Sequence, residues 1–264
     1  MTRVWSPTKI RRYRTCPAQW RLMEDLPRGR RPEFDLGLAT PLKLGIIAHA
    51  GMQAAYEVAR DGLRPYRPGE MMSVFSDAAL DAVARAAEGF ELGETFEVVQ
   101  VEEEVLAALG RLPRPRPSAV VGIERQLDDI VDDVPMVNVL DLILQTGAAS
   151  LHLRDWKRRS IKSLPLSSAL LDDPQMCSYR SAVARHFPWA TRVTVGLYSL
   201  ISNREVIVEL PLSRALGTMA GEVAVTRRAE EDTLCRPTPD GENCERCPVK
   251  AQCPVWTDAQ VLDA

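Results

Sequence analysis

The sequence predicts an α/β (α+β) protein with a mixed sheet core flanked by helices, and three observations carry that prediction. Apolar residues recur at helical spacing through most of the first 115 positions. Alternating, β-branched segments then follow one another at short intervals from about 119 to 210. One helical segment interrupts those strands and another closes the series. With 264 residues and 45% hydrophobic content, positions 1–264 are expected to form a single domain: helical to about 115, sheet-rich over 116–211, and helix plus tail over 212–264.

Ser6 before Pro7 reads as an N-cap with proline in the first helical turn. That basic helix should break near Cys16-Pro17, and a second short helix should carry Trp20 and Met23. Residues 27–35 are polar with proline and glycine, a loop. Residues 41–60 form an amphipathic helix through Leu44, Ile47, Met52, Ala55 and Val58, and 70–90 and 95–110 form two more. Pro113, Pro115 and Pro117 end the helical region. Strands are expected at 119–128, 135–145 and 151–156, turning at Asp132-Asp133 and Thr146-Gly147 as an antiparallel meander. A helix over 174–187 opens at Pro174; strands at 192–202 and 205–210 turn at Ser202-Asn203; a helix covers 212–230. The tail, 235–256, is rich in cysteine and proline without clear periodicity, and no internal repeat is present.

A net charge of −3 excludes a polycation, so nucleic-acid binding would rest on local patches. Three stand out: Lys9 with Arg11, Arg12 and Arg14; Arg28, Arg30 and Arg31; and Arg154, Lys157, Arg158, Arg159 and Lys162. No run of 18 apolar residues predicts a membrane span, and the first residues do not read as a signal peptide, so a cytoplasmic location is expected. Clustered cysteines in such a setting point to metal binding more than to disulfides.

The strongest local signal is Asp155-Trp156-Lys157 at the end of a strand. Residues two apart share a strand face, so Asp155 and Lys157 point together and Trp156 points to the opposite layer. Asp141 stands between Leu140 and Leu142 in the preceding strand, where a bare carboxylate is costly without a partner or a cation. Paired carboxylates suit Mg²⁺ or Mn²⁺, which acidifies water and stabilises charge on a phosphate, while a lysine positions the nucleophile. The competing interpretation is a buried Asp–Lys ion pair with no chemistry.

Further along come Gly45 and His49 in one helix, Glu124, Asp141, Asp155-Trp156-Lys157, then Gln175 and Tyr179 in another helix. This order resembles the RecB-like branch of the PD-(D/E)XK nuclease superfamily, with its G-x-x-x-H helix, isolated Asp, D-x-K strand and Q-x-x-x-Y helix. The resemblance covers about residues 6–256. It implies a restriction-endonuclease-like sheet core, with Asp141, Asp155 and Lys157 catalytic. It implies metal ligation by His49, Asp141, Asp155 and the Trp156 carbonyl. Gln175 and Tyr179 would contact DNA or orient the lysine. Glu124 is either a further acidic group of the site or a polar strand residue. The chain departs from the family at Asn138 and Val139, where glycine is common, and at Leu142, where arginine is common.

Cys244, Cys247 and Cys253 form C-x-x-C-x5-C, a strong thiolate-metal signature. Local chelation adds Cys235 and would suit zinc or an iron–sulfur cluster. RecB-like nucleases with an iron–sulfur cluster, the CRISPR-associated (Cas type four) exonucleases and bacteriophage relatives among them, take their first cysteine near the N-terminus. That resemblance implies a [4Fe-4S] cluster on Cys16, Cys244, Cys247 and Cys253, joining N-terminal helices to C-terminal tail. Cys235 is left out, and Cys177 reads as a packing residue.

The resemblance therefore implies a Mg²⁺- or Mn²⁺-dependent DNA exonuclease acting on single-stranded or end-exposed DNA, in recombination, repair or replication. A homo-oligomer and recombination or replication partner proteins are compatible with it. Trp156, Tyr179 and Trp189 are stack-capable toward exposed bases. The alternative is a non-catalytic nucleic-acid-binding protein with a structural zinc or iron–sulfur site; an iron–sulfur redox protein is a third, weakened by the lack of a Gly-rich dinucleotide motif.

Overall fold

The computed structural model describes residues 3–26, 40–62, 70–90, 95–113, 115–245 and 247–256. Arg28, Arg30 and Arg31, with the whole of the expected 27–35 loop, lie outside the described residues.

Two short helices open the chain, α1 (Pro7–Thr15) and α2 (Pro17–Glu24). The Ser6 hydroxyl accepts from the Lys9 N–H, and Cys16 ends one helix and starts the next, as the two prolines dictate. Three longer helices follow, α3 (Thr40–Asp61), α4 (Glu70–Glu88) and α5 (Thr95–Arg111). Helices α3 and α4 meet closely at Gly51, where a Cβ would lie 2.8 Å from Val83 Cγ2.

The sheet has five strands in the order β1-β2-β3-β4-β5: β1 (Val120–Val131), β2 (Val134–Gly147), β3 (Ser150–Lys157), β4 (Arg192–Ser199) and β5 (Arg204–Glu209). Asp132 and Asp133, at φ 45° and 66°, make the two-residue turn between β1 and β2. Strands β2 and β3 are antiparallel, β3 and β4 parallel, and β4 and β5 antiparallel. The parallel step needs a crossover, supplied by α6 (Ser167–Leu170) and α7 (Pro174–His186). Strand β4 stops at Ser199, short of the expected 202, because Leu200 to Asn203 make the turn into β5. Helices α8 (Leu212–Glu231) and α9 (Gly241–Glu245) follow; α9 is too short to leave a readable period.

The chain packs as two compact units, one formed by residues 1–39, 130–137 and 219–264, the other by 40–129 and 138–218. In the first, Trp5 and Trp20 stack at 5.3 Å with Tyr13 edge-on, and Glu230 and Asp232 accept from the Trp5 indole and the Tyr13 hydroxyl. In the second, Ile47, Met52 and Tyr56 of α3, Val83 of α4 and Val105 of α5 pack with Leu142, Leu144, Trp156 and Tyr198 of the sheet. Burial of such side chains stabilises by about 1.5–3 kcal/mol each. No helix among the described residues is long and apolar enough to cross a membrane.

Candidate metal centre

Alternation along β3 separates two chemistries. His152, Arg154 and Trp156 face the α3 side, where the Trp156 ring packs 5.7 Å from Tyr56. Asp155 and Lys157 face the α7 side. Antiparallel register pairs Leu142 with Arg154, which sets Asp141 opposite Asp155 one step further along. Asp141 Oδ2 accepts from the Trp156 N–H at 2.7 Å. Asp155 is held at both oxygens, Oδ1 by the Gln175 amide at 2.9 Å and Oδ2 by Lys157 Nζ at 2.5 Å. Gln175 and Tyr179 sit one turn apart on α7, and the same amide donates to the Tyr179 hydroxyl at 2.6 Å.

His49 reaches in from α3. Its Nε2–H donates to the Trp156 carbonyl at 2.8 Å, while Nδ1 lies 3.5 Å from Asp141 and 3.8 Å from Glu124. Glu124 stands in β1 at φ 43°, a left-handed conformation that a glutamate rarely adopts. His49, Glu124 and Asp141 each bring one ligand atom within 4.8 Å of the others. These contacts bring His49, Glu124, Asp141, Asp155, Trp156, Lys157, Gln175 and Tyr179 together around β3. Glu124 is among the acidic groups there.

Negative charge is in excess at this point. Burial, then the neighbouring Asp155 charge, push the Asp141 carboxyl up to about 7. Burial works against a charged His49, but its bond to Glu124 and the charges of Asp141 and Asp155 win, raising it to about 9. Burial, with the Asp155 and Asp141 charges, also lifts the Tyr179 hydroxyl well above its usual range. The negative charge of neighbouring carboxylates acts in the same direction on all three groups.

Several sequence expectations change. Arg154 is 6% exposed and clamped on Glu205 through both Nε and Nη2, at 2.8 and 2.7 Å, so it does not belong to a DNA-facing patch. Arg158 is likewise engaged by Glu104 at 2.8 and 3.0 Å. Trp156 and Tyr179, at 1% and 6% exposure, are packing residues that cannot stack on bases; Trp189 is exposed. The part-buried group of His152, Arg154, Glu205 and Thr194 is not among the sequence expectations. Only the alternation His152, Arg154, Trp156 hinted at it.

The cysteines divide as well. Cys16, Cys244, Cys247 and Cys253 line one cavity of about 50 Å³ with Leu22 and Trp256. Backbone N–H groups of Gln19 and Thr238 donate to Cys16 Sγ, and that of Asp240 to Cys244 Sγ, all at 3.5 Å. Cys235 does not line the cavity; its thiol and N–H are bonded to Asp232. Cys177 is buried in α7, donating to the Leu171 carbonyl at 3.4 Å.

Residues 4–254 match the PD-(D/E)XK nuclease superfamily. The chain belongs to that superfamily. PD-(D/E)XK nucleases act on nucleic acid with divalent metals such as Mg²⁺ or Mn²⁺. The donor set fits such an ion: hard carboxylate oxygens and one imidazole, with more negative charge than Lys157 and His49 offset. Among solved structures, one described as "Crystal structure of SSO0001" shares 12% identity and a TM-score of 0.34, covering 83% of this chain and 98% of that one. No match was found among curated proteins.

Proposed function

We propose that this PD-(D/E)XK protein is a Mg²⁺- or Mn²⁺-dependent DNA exonuclease that hydrolyses phosphodiester bonds of single-stranded or end-exposed DNA, in recombination, repair or replication. The observation that carries the nuclease reading is the convergence of His49, Glu124 and Asp141, with the Asp155–Lys157 pair opposite Asp141 in the β2–β3 register. The exonuclease class and the pathway rest on the RecB-like motif order. His49, Asp141, Asp155 and the Trp156 carbonyl would hold the cation, with Glu124 beside them. When bound, the cation supplies Lewis acidity toward phosphoryl oxygens and acidifies water. Lys157, paired with Asp155, would neutralise phosphate charge and orient the attacking water. Gln175 fixes Asp155 and Tyr179 in one chain of hydrogen bonds.

The test is digestion of end-labelled single- and double-stranded DNA with Mg²⁺, Mn²⁺ or EDTA, beside Asp155→Ala. Metal-dependent cleavage lost in the variant is expected. No cleavage under any condition, by protein with its full complement of cluster iron, moves the reading to a non-catalytic binding protein.

The same proposal places a [4Fe-4S] cluster on Cys16, Cys244, Cys247 and Cys253. What supports a shared thiolate site is that all four cysteines line one cavity. The cluster's role is structural: it closes a loop of more than 200 residues between Cys16 and Cys244, a strong constraint on the unfolded chain. Cys247→Ser should lose visible absorbance and bound iron and melt earlier. Unchanged melting with unchanged iron content sinks the assignment.

A further inference from the structure

The five cations that follow one another from Arg154 to Lys162 look like one patch in sequence and behave as two groups in structure. Arg154, Lys157 and Arg158 are engaged by Glu205, Asp155 and Glu104. Arg159 and Lys162 are exposed, and neither pairs with a carboxylate among the described residues. The backbone that carries them is held in place. The Ser199 hydroxyl, 0% exposed, donates to the Arg159 carbonyl. Ser202 passes its N–H to Ser199 Oγ at 3.0 Å, and its own Oγ accepts from the Ile161 N–H at 2.9 Å. A 3-10 turn over Ile161–Ser163 is closed by Ser160, which accepts from Lys162 N–H and the Ser163 hydroxyl. The hydroxyls of Ser199, at the end of β4, and Ser202, in the β4–β5 turn, thus fix a strap that begins at Lys157.

An acidic reaction centre in a chain of net charge −3 repels a polyanion, so the strand must be drawn in by cations placed locally. We propose that Arg159 and Lys162 bind the phosphodiester backbone of the DNA strand presented to Lys157, and that Ser199 and Ser202 position them. This rests on the nuclease reading. Holding the backbone of the strap removes conformational entropy that flexible cations would otherwise lose on binding.

The experiment measures binding of a fluorescent single-stranded oligonucleotide by the full-length protein, with Ca²⁺ in place of Mg²⁺, across a KCl series. Arg159→Ala and Lys162→Ala should each weaken binding roughly three- to tenfold and lower the slope of log K against log salt by about 0.7. Arg85→Ala, an exposed helix cation paired within its own helix, should do neither. Ser202→Ala keeps both charges, so it should weaken affinity with the slope nearly intact and melting unchanged. If the Arg159→Ala/Lys162→Ala double variant binds with wild-type slope, the strap is overturned and the nuclease reading stands. Wild-type affinity in Ser202→Ala overturns the positioning role. A wild-type protein that binds no DNA overturns both the strap and the nuclease reading.

Discussion

The two faces of β3 hold buried charge in opposite ways. On the α3 side every charge is matched: Glu205 receives Arg154 through two nitrogens and His152 through one, at 2.7–2.9 Å. Burial pushes the Glu205 carboxyl up, but His152 and Arg154 outweigh it and hold it below the usual range. Space for this is made by Gly196 on β4, where a Cβ would lie 2.4 Å from Glu205 Oε1. On the α7 side Asp141 and Asp155 lie together with Glu124 as a third carboxylate, and burial, then the Asp155 charge, push Asp141 up to about 7. Matched charge stabilises one arrangement of the sheet. Unmatched charge leaves a place for a cation, and that difference separates a closed charge network from an open one.

The sharpest way to break this contrast is to remove one carboxylate from the unmatched side. Asp155→Ala or Asp141→Asn should lower nuclease activity by at least about a thousandfold, roughly 4 kcal/mol of transition-state stabilisation. In EDTA the same Asp141→Asn protein should melt no earlier than wild type, because repulsion is relieved. Steady-state digestion and a thermal melt check both halves. A large drop in melting temperature would mean that Asp141 is structural.

On the matched side the expectation reverses. Arg154→Met leaves Glu205 buried without its main partner, a loss of about 3–5 kcal/mol of stability by urea unfolding. The folded fraction should still bind Mn²⁺ with near wild-type affinity. Weakened Mn²⁺ binding would tie the two faces together through the Trp156 ring, which Arg154 overlies at 5.4 Å.

The acidic side was legible in the sequence and the matched side was not, for a physical reason. Asp155, Lys157 and Asp141 declare themselves by strand alternation and apolar flanks, which are local. The helical motifs of His49, Gln175 and Tyr179 are local too. Glu205 finds Arg154 only because β5 lies beside β4 and β4 runs parallel to β3, and no local period encodes that. Charge alone made Arg154, Lys157, Arg158, Arg159 and Lys162 read as one surface, although strand alternation turns Arg154 inward and the α5 residue Glu104 claims Arg158. Glu124 was ambiguous because its left-handed backbone at φ 43° breaks the alternation by which a strand face is read.

A smaller effect tests how Asp155 is held. Gln175→Ala removes the donor to Asp155 Oδ1, and residues that orient a ligand typically cost about 10–100-fold in metal affinity or activity when lost. The Mn²⁺ concentration for half-maximal activity should rise, while the rate at saturating Mn²⁺ falls less. An unchanged metal requirement would leave Gln175 to the substrate instead.

The smallest effect is in the pH dependence of stability without metal. Asp141 moves from 3.8 to about 7 on folding, so its contribution is fully present below pH 3.8 and is lost as pH rises through about 7. His49 moves from 6.5 to about 9, so its contribution is fully present below pH 6.5 and is lost as pH rises through about 9. Both act in the same direction: in EDTA the protein should become less stable between pH 4 and 9. Asp141→Asn cannot follow the acidic part of that decline, so the gap between variant and wild-type melting temperatures should widen with pH, by roughly 2–8 °C. Saturating Mn²⁺ competes with the protons and should restore wild-type stability most at high pH. A gap that stays constant from pH 4 to 9 would mean that Asp141 is already ionised throughout, and that the unmatched side of β3 is as balanced as the other.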